Sequence, residues 1–178
     1  MTGVTGMTGM TGMTGMTPDW LRTADRDSPW HAAHVVVAGI GVSGFAAASV
    51  LRGLGARVSV RDARSGPAEL DRARVLDLLG TQVELGELAA STLPARTDLV
   101  VTSPGWRPDQ PLLVAAASAG VPVWGEVELA WRLRHRPTNP AADPTADPAG
   151  AKPPAPWLCV TGTNGKTTTS IGRCPARD

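Results

Sequence analysis

HVVVAGIGVSGFAAASVLRGLGARVSVRD, residues 34–62, is the stretch on which the fold turns. Val35 to Ala38 is an unbroken apolar run, as expected of a strand buried on both faces of a parallel sheet. Gly39-Ile40-Gly41-Val42-Ser43-Gly44 follows, with glycines at the GxGxxG spacing. A small, Ala-rich helical pattern then runs to Gly53 or Gly55, either of which suits a helix C-cap. Arg57 to Arg61 alternates apolar and polar residues as a second strand, and Asp62 closes it. Strand, glycine turn, helix, strand and acid make one βαβ unit.

The alternation continues beyond this unit. Pro67 to Leu79 has helical periodicity, with Leu70, Ala73, Leu76 and Leu79 on one side. Gln82–Leu85 and Asp98–Thr102 read as strands, the latter followed by the turn Ser103-Pro104-Gly105-Trp106. Pro111 to Ala119 reads as a helix stopped by Gly120. Val121–Trp124 is a short strand whose proline suits an edge or first position. Glu126 to Arg134 returns to helix, with cations at the end that suits its dipole. The pattern predicts a doubly wound, Rossmann-like α/β domain with a parallel sheet over residues 34–136.

The flanks differ in character. Residues 1–16 repeat a Met-Thr-Gly triplet and hold all five methionines; the expectation is a disordered leader, extending to residue 33. Residues 137–156 are rich in Pro and Ala without periodicity, so an extended linker is expected. Residues 157–178 begin with a second apolar run, Trp157–Thr161, which opens directly into GTNGKT at 162–167.

Composition removes several classes. The 178 residues carry a formal charge of +1, which offers no electrostatic footprint for nucleic acid or an anionic membrane. No run approaches the ~18 apolar residues of a spanning helix. The N-terminus lacks the basic and apolar regions of a secretory signal. Cys159 and Cys174 are too few for a disulfide framework and form no CxxC pair. A cytoplasmic location is the default expectation.

Two motifs carry chemistry. Gly39, Gly41 and Gly44 let the backbone turn tightly and approach a diphosphate, while the following helix offers free N–H groups and a positive dipole end. The bland alternative is a turn chosen for packing, with Asp62 as a capping residue. In the second motif, backbone N–H groups of the loop would cradle phosphates, Lys166 would reach the β/γ-phosphates and Thr167 would ligate Mg²⁺. Its spacing departs from GxxxxGK[ST], because Val160 stands where the first glycine would be. The chain has only one other lysine, Lys152, which argues against an incidental one here. Read without further comparison, the first unit also admits a nicotinamide-dependent oxidoreductase or a non-catalytic nucleotide-binding module.

Thr161–Thr168 resembles the ATP-binding signature of the Mur ligases and their folylpolyglutamate synthase relatives. Residues 35–62 are similar to the UDP-binding N-terminal domain of Mur ligases. Ser103-Pro104-Gly105-Trp106 and Gly125-Glu126-Val127-Glu128-Leu129 resemble segments of the D-glutamate-adding branch. The resemblance covers about residues 34–170. It implies an ATP-dependent ligase of peptidoglycan precursor synthesis, monomeric, adding D-glutamate to UDP-N-acetylmuramoyl-L-alanine through an acyl phosphate. The UDP-sugar would meet Gly41, Val42, Ser43 and Gly44 at its diphosphate and Asp62, Ala63 and Gly105 at its uracil; Ala63 stands where some relatives have Thr. ATP would bind Gly162, Thr163, Asn164, Gly165, Lys166, Thr167 and Thr168, with Lys166 and Thr167 acting catalytically and Thr167 holding Mg²⁺. The family's central domain continues far beyond this point. The helix after the loop breaks at Pro175, so residues 157–178 are expected to be the start of a truncated ATP-binding domain, inactive by itself.

Overall fold

The computed structural model describes residues 17–134. The linker, the apolar run Trp157–Thr161 and the GTNGKT loop, with Gly162 to Thr168, lie outside the described residues, as does the Met-Thr-Gly repeat.

Five parallel strands form one sheet: β1 (His34–Ala38), β2 (Arg57–Asp62), β3 (Gln82–Leu85), β4 (Leu99–Thr102) and β5 (Val123–Gly125). Their spatial order is β3-β2-β1-β4-β5, the order of a doubly wound sheet that reverses direction between β1 and β4. Central β1 pairs Val37 with Val60 on one side and with Val101 on the other. The helices α1 (Val42–Gly53), α2 (Pro67–Leu78), α3 (Glu87–Ser91), α4 (Pro111–Ser118) and α5 (Glu126–Leu133) follow the five strands in turn. The short α3 has no counterpart in the sequence reading, because five residues are too few to show a period.

Two apolar layers sandwich the sheet. Val35 and Val37 join Ala48, Leu51, Leu76 and Leu129 on one face. Val36, Ala38 and Val100 join Leu112 and Ala116 on the other. Because β1 is apolar at every position, it can be buried on both faces, and its whole length is.

Strand β2 is buried in the same way from Val58 to Asp62 despite its alternating sequence. Its polar residues are therefore paired inside the fold. Ser59 Oγ lies 2.9 Å from His34 Nε2. Arg61 forms a bidentate pair with Glu84 of β3, with Nη2 donating to Oε1 at 2.9 Å. Buried polar groups are costly unless so satisfied.

Two further expectations are corrected. Leu70 and Leu79 of the predicted α2 stripe are a little under half exposed, and only Leu76 is sealed in the core, with Ala73 packed partly against it. The helix lies beside β3 at the edge of the sheet and meets the core through Ala73 and Leu76. Residues 17–33, assigned to the leader, instead form two 3₁₀ turns, Asp19–Thr23 and Trp30–Ala32. Leu21 and Trp30 are buried in the layer that contains α1 and α5. Trp30 meets Trp20 and Trp124 edge-on, with ring centroids 5.3 and 6.4 Å away, and its Nε1–H donates to the Asp25 carbonyl at 2.8 Å. These indoles offset the ordering of an otherwise polar segment.

Pro122 does precede an edge strand, and its carbonyl accepts the Val100 N–H at 2.9 Å.

Candidate functional site

The glycine turn leaves β1 at the point where the sheet changes winding direction. Gly39 takes φ +102°, open to glycine but strained for other residues. The space above it is also occupied: a Cβ there would lie 2.8 Å from Trp106 Nε1 and 3.1 Å from Ser103 Oγ. Gly44 is required for a different reason. A Cβ on it would stand 1.9 Å from the Gly39 carbonyl oxygen, so a side chain would drive α1 off the strand. Gly41 faces open space; its nearest neighbour in that direction is Arg64 Nη2, 3.9 Å from a notional Cβ. The three glycines thus divide the labour of turning, packing and leaving room. Helix α1 starts at Val42 with no side-chain cap and no acidic residue in its first turn. The first-turn N–H groups of Val42, Ser43 and Gly44 therefore present donors and a positive dipole end toward that room.

Asp62, at the end of β2, ties the loop to its surroundings. Oδ2 accepts the Ile40 N–H at 2.8 Å, and Oδ1 accepts the Arg64 N–H at 2.9 Å. The Arg64 guanidinium adds Nη2–Oδ2 at 2.9 Å and Nε–Oδ1 at 3.2 Å. Burial alone would raise the Asp62 pKa, but the bonds from Arg64 and from the Ile40 and Arg64 N–H groups together hold it below its ordinary value. In return, the hydrogen bond and charge of Asp62 raise the pKa of Arg64. Glu69, 3.3 Å from Arg64 Nη1, is a second anchor for the guanidinium. The Arg64 side chain is nonetheless 61% exposed, so a fixed cation stands beside the glycine turn and faces solvent.

A cleft of about 340 Å³ opens over the strand ends, lined by Asp62, Ala63, Arg64, Ser103, Gly105, Trp106 and Gln110. A second cleft of about 440 Å³ shares Ala63 and Gln110 and runs on past Glu87, Ser91 and Arg107. Ligands of open α/β sheets bind at this place, outside the carboxyl ends of the strands at the switch point.

The fold brings Asp62, Ala63 and Gly105 to one cleft, and sets Gly41 to Gly44 at its side across Arg64. The Asp62 carboxylate is engaged within the protein, which leaves backbone groups and the outer face of Arg64 to meet a ligand. Arg64, Ser103, Trp106 and Gln110 were missed as site residues by the sequence reading. The usable signal for Arg64 was an Arg two residues beyond the acid that ends the second strand. Among the described residues, no group of three or more His, Cys, Asp or Glu side chains is arranged to hold a metal ion. No helix among them is long and apolar enough to cross a membrane.

Residues 33–125 match the family model described as Mur ligase MurD-like, N-terminal domain. A UDP-N-acetylmuramoylalanine–D-glutamate ligase of Streptomyces avermitilis is 54% identical over 142 residues, covering 79% of this chain and 26% of that protein. One from Thermobifida fusca is 56% identical over 135 residues, covering 76% of this chain and 25% of the relative. The chain therefore spans about a quarter of the length of the curated relatives it matches. A solved UDP-N-acetylmuramate:L-alanyl-gamma-D-glutamyl-meso-diaminopimelate ligase from Neisseria meningitides overlaps 55% of this chain and 30% of its own, with 21% identity and a TM-score of 0.45.

Proposed function

The chain belongs to the Mur ligase MurD-like N-terminal domain family, and on that premise we propose that its doubly wound domain binds the nucleotide end of UDP-N-acetylmuramoyl-L-alanine. The observation that carries this reading is the juxtaposition of three things at the strand ends. An uncapped helix N-terminus stands behind the open face of Gly41. An exposed guanidinium is fixed beside it by Asp62 and Glu69. A cleft of about 340 Å³ continues from that cation between β2 and β4. The helix N-terminus and Arg64 supply the positive field that a diphosphate needs, and the cleft supplies room for the nucleoside.

Asp62 weighs against the nicotinamide alternative. In that fold family the acid at the end of the second strand binds ribose hydroxyls. Here both of its oxygens are already bonded to Ile40 and Arg64.

The wider activity rests on the resemblance and on the relatives. We propose that the chain supplies the nucleotide-binding part of an ATP-dependent ligase of peptidoglycan precursor synthesis. In that reaction the substrate carboxylate is activated as an acyl phosphate, and the amine of D-glutamate displaces the phosphate. Gly162 to Thr168 are proposed to bind ATP, with Lys166 neutralising charge on the transferred phosphoryl group and Thr167 as a Mg²⁺ ligand. When bound, Mg²⁺ would add electrostatic stabilisation of the phosphates.

Calorimetric titration of the full chain with UDP, with UDP-N-acetylmuramoyl-L-alanine and with NADH tests the nucleotide reading. Saturable binding of both uridine nucleotides, weakened about tenfold or more by Arg64→Ala, is the expected result. Binding of NADH with no response to either uridine nucleotide would overturn it.

A further inference from the structure

Arg64 touches two carboxylates, and one of them is enough to hold it. Asp62 accepts Nη2–H at 2.9 Å, Nε–H at 3.2 Å and the Arg64 backbone N–H at 2.9 Å. Bonds from two guanidinium nitrogens to one carboxylate fix the direction of the side chain. Glu69, in the first turn of α2, adds one contact, Oε1 to Nη1 at 3.3 Å. A single, longer contact changes that direction little. What it brings is charge. The Asp62 and Glu69 side chains are 4% and 13% exposed, so water screens neither well.

The charges at the glycine turn therefore do not balance. The cleft between β2 and β4 has Asp62 and Arg64 as its charged lining, and these two cancel. Glu69 leaves the group with one negative charge in excess. The N-terminus of α1, with no acid in its own first turn, returns about half a positive charge. Farther out, Arg61 with Glu84 and Arg107 with Asp109 cancel as pairs. An anion approaching the open face of Gly41 meets guanidinium and helix N–H donors at contact range, in a field that Glu69 has weakened. We propose that Glu69 is an electrostatic counterweight to Arg64, which lowers the affinity of the glycine turn for a diphosphate, and lowers it more the more charge the ligand carries. The proposal rests on the nucleotide reading above and adds a residue that sets how tightly the phosphates are held. Two simpler roles for Glu69 predict other results. As an anchor that Arg64 needs, its loss would weaken binding. As an acid that only suits the start of α2, its loss would lower stability and leave binding alone.

The test is calorimetric titration of the full chain, wild type and Glu69→Gln, with UDP and with UMP at low and at high salt. Glutamine keeps the size of the side chain and an oxygen for Arg64 Nη1, and removes only the charge. Glu69→Gln should bind UDP about threefold to tenfold more tightly at low salt. The gain should be smaller for UMP, which carries less charge, and should shrink for both ligands at high salt. Thermal unfolding followed by circular dichroism verifies that the variant is folded; if it is not, Glu69→Met makes the same change of charge. Unchanged or weaker UDP binding would overturn the proposal. So would a gain that is equal for UDP and UMP and indifferent to salt, which would mark a change of shape. If Arg64→Ala loses UDP and Glu69→Gln gains nothing, the nucleotide reading stands while this inference falls. If the wild type binds no UDP, both fall.

Discussion

Individual residues near the glycine turn separate folding from binding. A Cβ at position 44 would collide with the Gly39 backbone, which no side-chain rotation relieves. Gly44→Ala is therefore expected to cost about 3 kcal/mol or more, as overpacking against rigid backbone does, read as a lower denaturation midpoint. Gly41→Ala meets only the tip of Arg64, so the chain should melt almost as the wild type does. Its nucleotide affinity should nevertheless fall at least about tenfold, because the added methyl occupies the approach to the helix N-terminus. Equal stability losses in the two variants would sink this division of roles. His34 provides the pH signature. Burial and the nearby Arg57 charge lower its pKa below 6.5, against the opposing pull of the Arg96 and Ala95 carbonyls and of Asp98. A histidine with a depressed folded pKa leaves the unfolded chain binding more protons in the window just below 6.5. Stability should thus be full above that window and fall as pH drops through it. His34→Gln should flatten this limb of a melting-temperature profile. Asp62 acts separately at lower pH: its pKa is depressed below 3.8, so its contribution is present above that value and is lost as pH falls further.

At the scale of elements, burial rather than apolar character decides which leucines matter. In α2, Leu76 is 0% exposed and Leu78 is 87% exposed. Leu76→Ala should cost about 2–5 kcal/mol, the transfer and cavity terms together. Leu78→Ala should stay within about 0.5 kcal/mol of wild type. Urea unfolding of the two variants checks this, and similar midpoints would mean that α2 does not pack as described. The strands show the same logic from the polar side. Alternation along β2 suggests a half-exposed strand, yet β1 and β3 flank it and helices cover it. Ser59 and Arg61 are accommodated only because His34 and Glu84 lie within hydrogen-bonding reach. That reach crosses strands and is invisible in β2 alone.

For the molecule as a whole, the tryptophan cluster ties residues 17–33 into the folded domain. Trp30→Ala removes a fully buried indole and should destabilise the domain by about 3–5 kcal/mol. A chain with a dispensable leader to residue 33 would show no change in melting temperature, so calorimetry of this one variant decides between the two. The burial of Leu21 and Trp30 was not legible in the sequence, because residues 17–33 have no periodicity. Their burial depends on α5 and β5, about a hundred residues away: Arg132 donates to the Arg22 carbonyl and lies over Trp124. The site was legible in half. Gly41, Val42, Ser43, Gly44 and Asp62 could be placed because their spacing is local to one βαβ unit. Arg64, Ser103, Trp106 and Gln110 could not, since a cleft between β2 and β4 exists only once β1 has paired with both. The sequence by itself determined the order and type of all five strands and of the four longer helices, and the glycine turn, since period and turn chemistry act over a few residues. Only the tertiary structure decided which apolar residues are sealed, that Asp62 is tied to the loop and Arg64, and that Ser103 and Trp106 line the cleft. Those outcomes depend on contacts between segments far apart in the chain, and local patterns carry no record of them.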